Sequence, residues 1–242
     1  MIDNSYQVDR ETVRNLEVVL PGTMRDRQTL IIGAHYDTAR GAPGANDNAS
    51  GVAALLELAR MLKNTKLGKD VRLVFLVNEE PPFFQTDSMG SRVYARKLHN
   101  DHVAVSAMIS LETVGFYSDL PGSQKYPPFL NLFYPSRGNF IGFVGNAASG
   151  WLVRDVTKKF RQSSQFRSEG IAAPADWPGV GWSDQWSFWQ EGSPAIMITD
   201  TAPFRYRYYH TPADSADKID FDRMARVVAG IGRVVRALAD TS

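Results

Sequence analysis

Four short apolar runs do most to limit what this chain can become: TLIIGAHY (29–36), DVRLVFLVN (70–78), VSAMISLE (105–112) and PAIMITD (194–200). Each is nearly continuous in hydrophobic residues and shorter than an ordinary helix, the pattern of a strand covered on both faces. Segments with helical spacing lie between and after them. DNASGVAALLELARMLKN (47–64) sets Val52, Leu55, Leu56, Ala59 and Leu62 at that spacing, and SRVYARKLHN (91–100) also reads as a helix. SGWLVRDVTKKFRQS (149–163) repeats the spacing through Leu152, Val153, Val156 and Phe160, and FDRMARVVAGIGRVVRALAD (221–240) closes the chain as an amphipathic helix. NLEVVL (15–20), NFIGFVGN (139–146) and residues 165–171 supply further strands, and SDQWSFWQEG (183–192) a short helix. The segment 115–138, rich in Pro, Gly and aromatics, reads as a long loop. Strands alternating with helices predict an α/β fold: a central, mostly parallel mixed sheet flanked by helices. No repeat, low-complexity tract or linker divides the chain, so residues 1–242 are expected to form a single domain.

Composition removes several classes of function. A formal net charge of +1 leaves no electrostatic footprint for nucleic acid, and no apolar run approaches the length of a membrane-spanning helix. There is no cysteine, which excludes a disulfide framework, a thiol nucleophile and any cysteine-containing zinc site. A bound metal would have to use His, Asp and Glu. The opening MIDNSYQVDR is too polar for a signal peptide, so the chain is expected to be cytoplasmic or exported with a leader upstream of it. No sequence feature speaks to oligomeric state.

The polar residues of interest fall where the apolar runs end. His35 and Asp37 end one run, Asp47 begins a helix, Glu79 and Glu80 follow a second, Glu112 ends a third, and Asp200 ends the fourth, with His210 soon after. In open α/β sheets, ligands bind beyond the carboxyl ends of the strands. Each residue has a plain alternative: Asp47 is a good helix cap, as are Asn46 and Asn48, and a Glu-Glu pair is commonly a solvated one. His210 could be a loop histidine bonded to backbone, and His99 and His102 in KLHNDH read as exposed. A solvated strand end explains one such residue well and a convergent set of five poorly.

The ordered set is more specific than any member. H-x-D in AHYDT, then GANDNASG, then EE after a strand, an acid ending the next strand and a late H-T-P together resemble the M28 family of zinc peptidases. The resemblance runs from about Leu30 to the last helix. It implies a zinc-peptidase (phosphorylase/hydrolase-like) fold, two zinc ions per chain and peptide substrates. It implies His35, Asp47, Glu80, Glu112 and His210 as metal ligands, with Asp47 bridging: one ion on His35, Asp47 and Glu112, the other on Asp47, Glu80 and His210. Asp37 matches the residue that orients the first histidine, Glu79 the general base, and Tyr209 stands where it can donate to a tetrahedral oxyanion. A cis peptide at Asp47–Asn48 is implied as well. Zinc suits this chemistry because it lowers the pKa of bound water to about 7 and polarises a carbonyl.

This sequence departs from the family pattern in places. Glu112 stands where an aspartate is usual, and SDQWSF carries Gln185 in place of a histidine while keeping Asp184, assigned to substrate binding or to support of the ligands. The link EEPPFFQTDSMGS is longer and bulkier than usual, and Phe83, Phe84 and Met89 are expected to wall a substrate pocket. The part before the H-x-D strand is short, which points to a trimmed chain or a compact subfamily. An aminopeptidase is the leading expectation. The alternatives are a glutaminyl-cyclase-like acyltransferase with one zinc, a catalytically weak peptide-binding homologue, and a two-metal phosphoesterase, for which no Arg/Lys phosphate clamp is evident.

Overall fold

Burying the four apolar runs side by side builds the centre of an eight-stranded sheet. The computed structural model describes residues 2–24 and 28–240. Its strands are β1 (Ile2–Val8), β2 (Glu11–Leu20), β3 (Thr29–His35), β4 (Asp70–Leu76), β5 (Val105–Glu112), β6 (Ile141–Asn146), β7 (Ser168–Ala173) and β8 (Ala195–Thr199). Their spatial order is β1-β2-β4-β3-β5-β8-β6-β7. The pairs β3–β4, β3–β5, β5–β8 and β6–β7 are parallel, while β1–β2, β2–β4 and β6–β8 are antiparallel. The expected mixed sheet is therefore present, with the four mutually parallel strands β4, β3, β5 and β8 at its centre and the parallel pair β6–β7 at one edge.

Both faces are covered, which is why the central runs need no polar alternation. Leu30 and Ile32 of β3 join the core shared with α1 (Ala49–Leu62), α3 (Gly150–Ser163) and α6 (Phe221–Asp240). Ile31, between them, points the other way and packs with Tyr94 and Leu98 of α2 (Gly90–Asn100) and Phe188 of α4 (Gln185–Gln190). Each such fully buried side chain contributes roughly 1.5–3 kcal/mol.

The edges differ from expectation. β1 leaves no apolar signal in the sequence because most of its residues are polar and it is an edge strand, joined to β2 by a tight turn with Asp9 at φ 54° and Val8 opposite Glu11. Strand β7 begins three residues later than expected, at Ser168. The four-residue α5 (Ala202–Arg205) and the 3₁₀ turns Leu130–Leu132 and Ala216–Lys218 are too short to leave a periodic signal.

Candidate metal centre

β3 and β5 run parallel in register, Gly33 beside Ser110, so His35 and Glu112 emerge together at the carboxyl edge of the sheet. The chain turns there through GANDNASG, and hydrogen bonding explains its composition. Asn48, not Asp47, caps α1: its Oδ1 accepts from Gly51 N at 3.1 Å and from Thr113 N at 3.0 Å. Asn48 Nδ2 donates to Leu111 O at 2.8 Å. Asn46 Oδ1 accepts from Gly115 N at 3.0 Å, and its Nδ2 donates to Asp200 Oδ2 at 3.0 Å. These neighbours satisfy the backbone on both sides, which leaves the Asp47 carboxylate free to face the centre. The Asp47–Asn48 peptide is cis, as the resemblance implies. Gly44 sits at φ 71° and packs so closely on Thr38 that a Cβ would lie 2.2 Å from Thr38 Cγ2.

Asp47 Oδ1 lies 3.4 Å from His35 Nε2, and Asp47 Oδ2 lies 2.9 Å from His210 Nε2. Glu112 Oε2 is 3.2 Å from His35 Nε2, and Glu80 Oε2 is 3.3 Å from His210 Nε2. One aspartate thus spans two histidine–glutamate pairs. Yet these contacts are not all hydrogen bonds: His35 Nε2, Asp47 Oδ2 and Glu80 Oε1 are buried with no hydrogen-bond partner. Buried polar atoms are nearly always paired, so orphaned atoms aimed at common points fit a cation held between them. The groups that converge most closely are His35, Glu79 and Glu112 at one point and Asp47, Glu80 and His210 at another, ligand atoms within 4.8 Å in each. Glu79, 3.9 Å from His35 Nε2, is thus closer to the first point than the sequence assigns it.

The electrostatics follow from crowding the acids and His35 out of water beside His210, which stays at the exposed rim. Burial raises the Asp47 carboxyl, but His210 and His35 outweigh it and hold the group at about 2. Asp47 and Glu80 raise His210 from 6.5 to about 10. Burial opposes a charge on His35, while Glu79 and Glu112 carry it well above its ordinary value. Burial lifts Glu112 to about 7 and pushes Glu79 well above the carboxylate range, with Glu112, Asp184 and Glu80 adding repulsion at Glu79. Ser183 donates to Glu112 Oε2 at 2.7 Å, a partner that steadies the longer side chain at this position.

Asp37 plays two parts where one was expected. His35 Nδ1 meets the Asp37 backbone oxygen at 3.1 Å, with the carboxylate Oδ1 farther off at 3.6 Å. The carboxylate instead accepts from Glu79 N at 3.2 Å and Glu80 N at 3.1 Å, which fixes the Glu-Glu turn. Tyr209 stacks on His210 with ring centroids 3.9 Å apart. Burial, then Asp47 and Glu112, raise the Tyr209 hydroxyl, which keeps it a donor. His99 and His102 are exposed, as expected.

Three substrate-side expectations are placed differently. An apolar cavity opens beside Glu112 and Tyr209 and is walled by Met197, Trp182 and Phe204; Phe83 and Phe84 do not line it. Met89 is core, its sulfur accepting from Ser187 Oγ at 3.7 Å. Asp184 is fully buried and off the cavity wall, close enough to feel His35 and Asp37, which leaves support of the ligands as the role open to it; burial raises its carboxyl to about 6.

Asp214 was missed. Its Oδ1 accepts from Asn46 N at 2.9 Å and Tyr206 Oη at 2.7 Å, and its Oδ2 accepts from Asp47 N at 3.1 Å. The only hint was an acid four residues after His210 in HTPADS. Asp214→Asn turns one acceptor into a donor facing these donors. The expected result is about 1–3 kcal/mol less stability in denaturant unfolding and a 10–100-fold weaker metal affinity by competition titration.

A mixed α/β sheet with two histidine–carboxylate clusters at the carboxyl ends of its parallel strands, one fully buried and one buried except for His210, defines the class, an α/β protein with a candidate metal centre. The profile of peptidase family M28 matches residues 15–235, and the chain belongs to that family. It is 45% identical over 215 residues to Escherichia coli YfbL, described as an uncharacterized protein, covering 85% of this chain and 66% of YfbL. The aminopeptidase from Aneurinibacillus sp. strain AM-1 superposes with a TM-score of 0.71 at 26% identity, over 96% of this chain and 49% of that one. An Acidobacteriales bacterium glutaminyl cyclase shares the fold at a TM-score of 0.70 and 20% identity, over 98% of this chain and 79% of the cyclase. The chain thus spans about two thirds or less of the length of YfbL and about half of the aminopeptidase. Among the described residues, no helix is long and apolar enough to cross a membrane.

Proposed function

We propose that this chain is a zinc-dependent exopeptidase that removes N-terminal residues from peptides. His35, Asp47 and Glu112 would hold one ion and Asp47, Glu80 and His210 the other. The observation that carries this reading is Asp47, whose two oxygens face two histidines among buried, unpartnered ligand atoms. Zinc held there would supply Lewis acidity toward the scissile carbonyl and the attacking water. Glu79 takes the proton of the attacking water at its carboxylate and delivers it to the leaving amine. Tyr209 donates its hydroxyl to the developing oxyanion. Asp37 holds the Glu79–Glu80 backbone still while this happens. The likeness to the Aneurinibacillus aminopeptidase supports the direction of attack.

Metal content measured beside hydrolysis of aminoacyl anilides tests the proposal. Two zinc ions per chain and activity abolished by a chelator are expected. One ion per chain, with cyclisation of N-terminal glutamine peptides, would replace it with the cyclase reading. Absence of any turnover by zinc-loaded protein would leave a peptide-binding homologue.

Metal loading must also release protons, because ligands bind deprotonated. Without metal, His210 holds a proton up to about 10 and Glu112 up to about 7. Calorimetry at pH 7 in buffers of different ionisation enthalpy is expected to find at least about one proton released per chain, with zinc affinity falling as pH is lowered. The metal-free fold responds with a definite sign. His210 stabilises it fully below 6.5, and that contribution is lost as pH rises through about 10. Asp47 stabilises it above 3.8, and that contribution is lost as pH falls through about 2.

A further inference from the structure

The cavity beside the centre ends on a carboxylate that none of the proposed chemistry uses. Across the sheet, Glu112 of β5 pairs with Thr199 of β8, Thr199 with Gly142 of β6, and Gly142 with Glu169 of β7. Directly paired residues point to the same face, so Glu112 and Glu169 stand at two ends of one row. With only the short Thr199 side chain between its ends and none at Gly142, the middle of the row is a shallow trough floored by Thr199 and bordered by Thr201. Three strand spacings put its ends about 14 Å apart.

The far end suits a cation. Tyr126 and Tyr134 come from the long loop and cover the trough, with ring centroids 5.9 Å apart. Their hydroxyls are turned to backbone, Tyr126 to Pro135 O at 2.7 Å and Tyr134 to Gly170 O at 3.1 Å, which leaves ring surface on the cavity. Burial raises both tyrosines, and Glu169 is close enough to add to the rise. Burial also lifts the Glu169 carboxyl, against Arg161. Arg161 Nη2 reaches Glu169 Oε2 only at 3.5 Å, because its guanidinium is spent on Ser168: 3.1 Å to Oγ and 2.5 Å to O. Arg161 therefore steadies Glu169 from outside the cavity and does not fill it. Two aromatic faces beside an acid form a cation-binding arrangement.

We infer that Glu169, with Tyr126 and Tyr134, makes this cavity a subsite for a long basic side chain, and that the preferred substrates are peptides with N-terminal lysine or arginine. The inference rests on the aminopeptidase reading above. An extended lysine spans about 7 Å from α-amine to ε-ammonium; with its α-amine about 3 Å from Glu112 Oε1, the oxygen that Ser183 and His35 do not face, and its ammonium about 3 Å from Glu169, it nearly fills the row. Leucine ends about halfway along it.

The test compares lysine, arginine, norleucine and leucine anilides on zinc-loaded wild type and Glu169→Gln, with melting curves to check folding. Norleucine is lysine without its ammonium, so the kcat/KM ratio of the two isolates the charge. The wild-type ratio is expected to be at least about tenfold in favour of lysine, falling to within about twofold in Glu169→Gln. Tyr126→Leu, which removes one ring and keeps the acid, is expected to lower the ratio about threefold. A wild-type ratio near one, or a ratio unchanged in Glu169→Gln, overturns the inference. Loss of all turnover would instead count against the aminopeptidase reading. Calorimetric binding of lysinamide against norleucinamide then reads the subsite by itself, and equal affinities overturn it.

Discussion

Glu79→Gln is expected to lower kcat by a factor of about 100 to 10,000 while the protein keeps its full complement of zinc. The substitution is nearly isosteric. The turn that carries the residue is fixed through backbone, Glu79 N and Glu80 N donating to the Asp37 carboxylate, so the side chain change leaves Glu80 where it is. What glutamine cannot do is accept and return a proton. Glu79 suits that task because burial, with repulsion from Glu112, Asp184 and Glu80, pushes its carboxyl above the usual range and so makes it a stronger proton acceptor than a solvated carboxylate. The measurement is kcat on the best anilide together with zinc per chain. The crowding of Glu79 with His35 and Glu112 around one point gives the experiment a second informative outcome. If zinc falls to about half along with activity, Glu79 is a ligand of that point and the proton acceptor must be sought elsewhere.

How much of this was legible in the sequence depends on how local the cause is. β3, β4, β5 and β8 announce themselves because strands covered on both faces are nearly continuous in apolar residues, Arg72 of β4 being an exception, and a charged residue or histidine at or just past the end of each run marks the sheet edge. His35 and Glu112 are therefore readable as neighbours once the strands are taken as parallel. Asp37 shows where such reading stops. Its proximity to His35 in sequence suggests one partner, but its carboxylate is taken by backbone N–H groups 42 and 43 residues away. Asp214 meets Asn46 and Asp47 across separations of 168 and 167 residues, contacts that no local pattern encodes. Phe83 and Phe84 lie next to the Glu-Glu pair, yet nearness along the chain does not put them in the cavity. That wall comes from the loop 115–138 and the segment around Trp182, whose folding onto the sheet depends on tertiary packing.

Asp47→Asn is expected to be the most damaging single change, reducing bound zinc below about one ion per chain and kcat/KM by more than about a thousandfold. Among the described residues, Asp47 is the acid in ion-pair contact with both His35 and His210, one through each oxygen. Asparagine keeps the volume, and the Asp47 N–H can still donate to Asp214 Oδ2. The change therefore removes the charge and one acceptor and spares the loop. Its effect should also appear without metal. Asp47 is the leading cause of the rise of His210 to about 10, so histidine NMR on the metal-free variant should find that pKa moved back toward 6.5. Asp214→Asn provides the contrast: it loosens the loop but leaves the Asp47 charge in place, so His210 should keep most of its rise while metal affinity weakens less. A two-ion centre that survived Asp47→Asn would mean that His35 with Glu112 and Glu79, and His210 with Glu80, hold their ions independently. The centre would then be two separate sites and not one joined through a shared carboxylate.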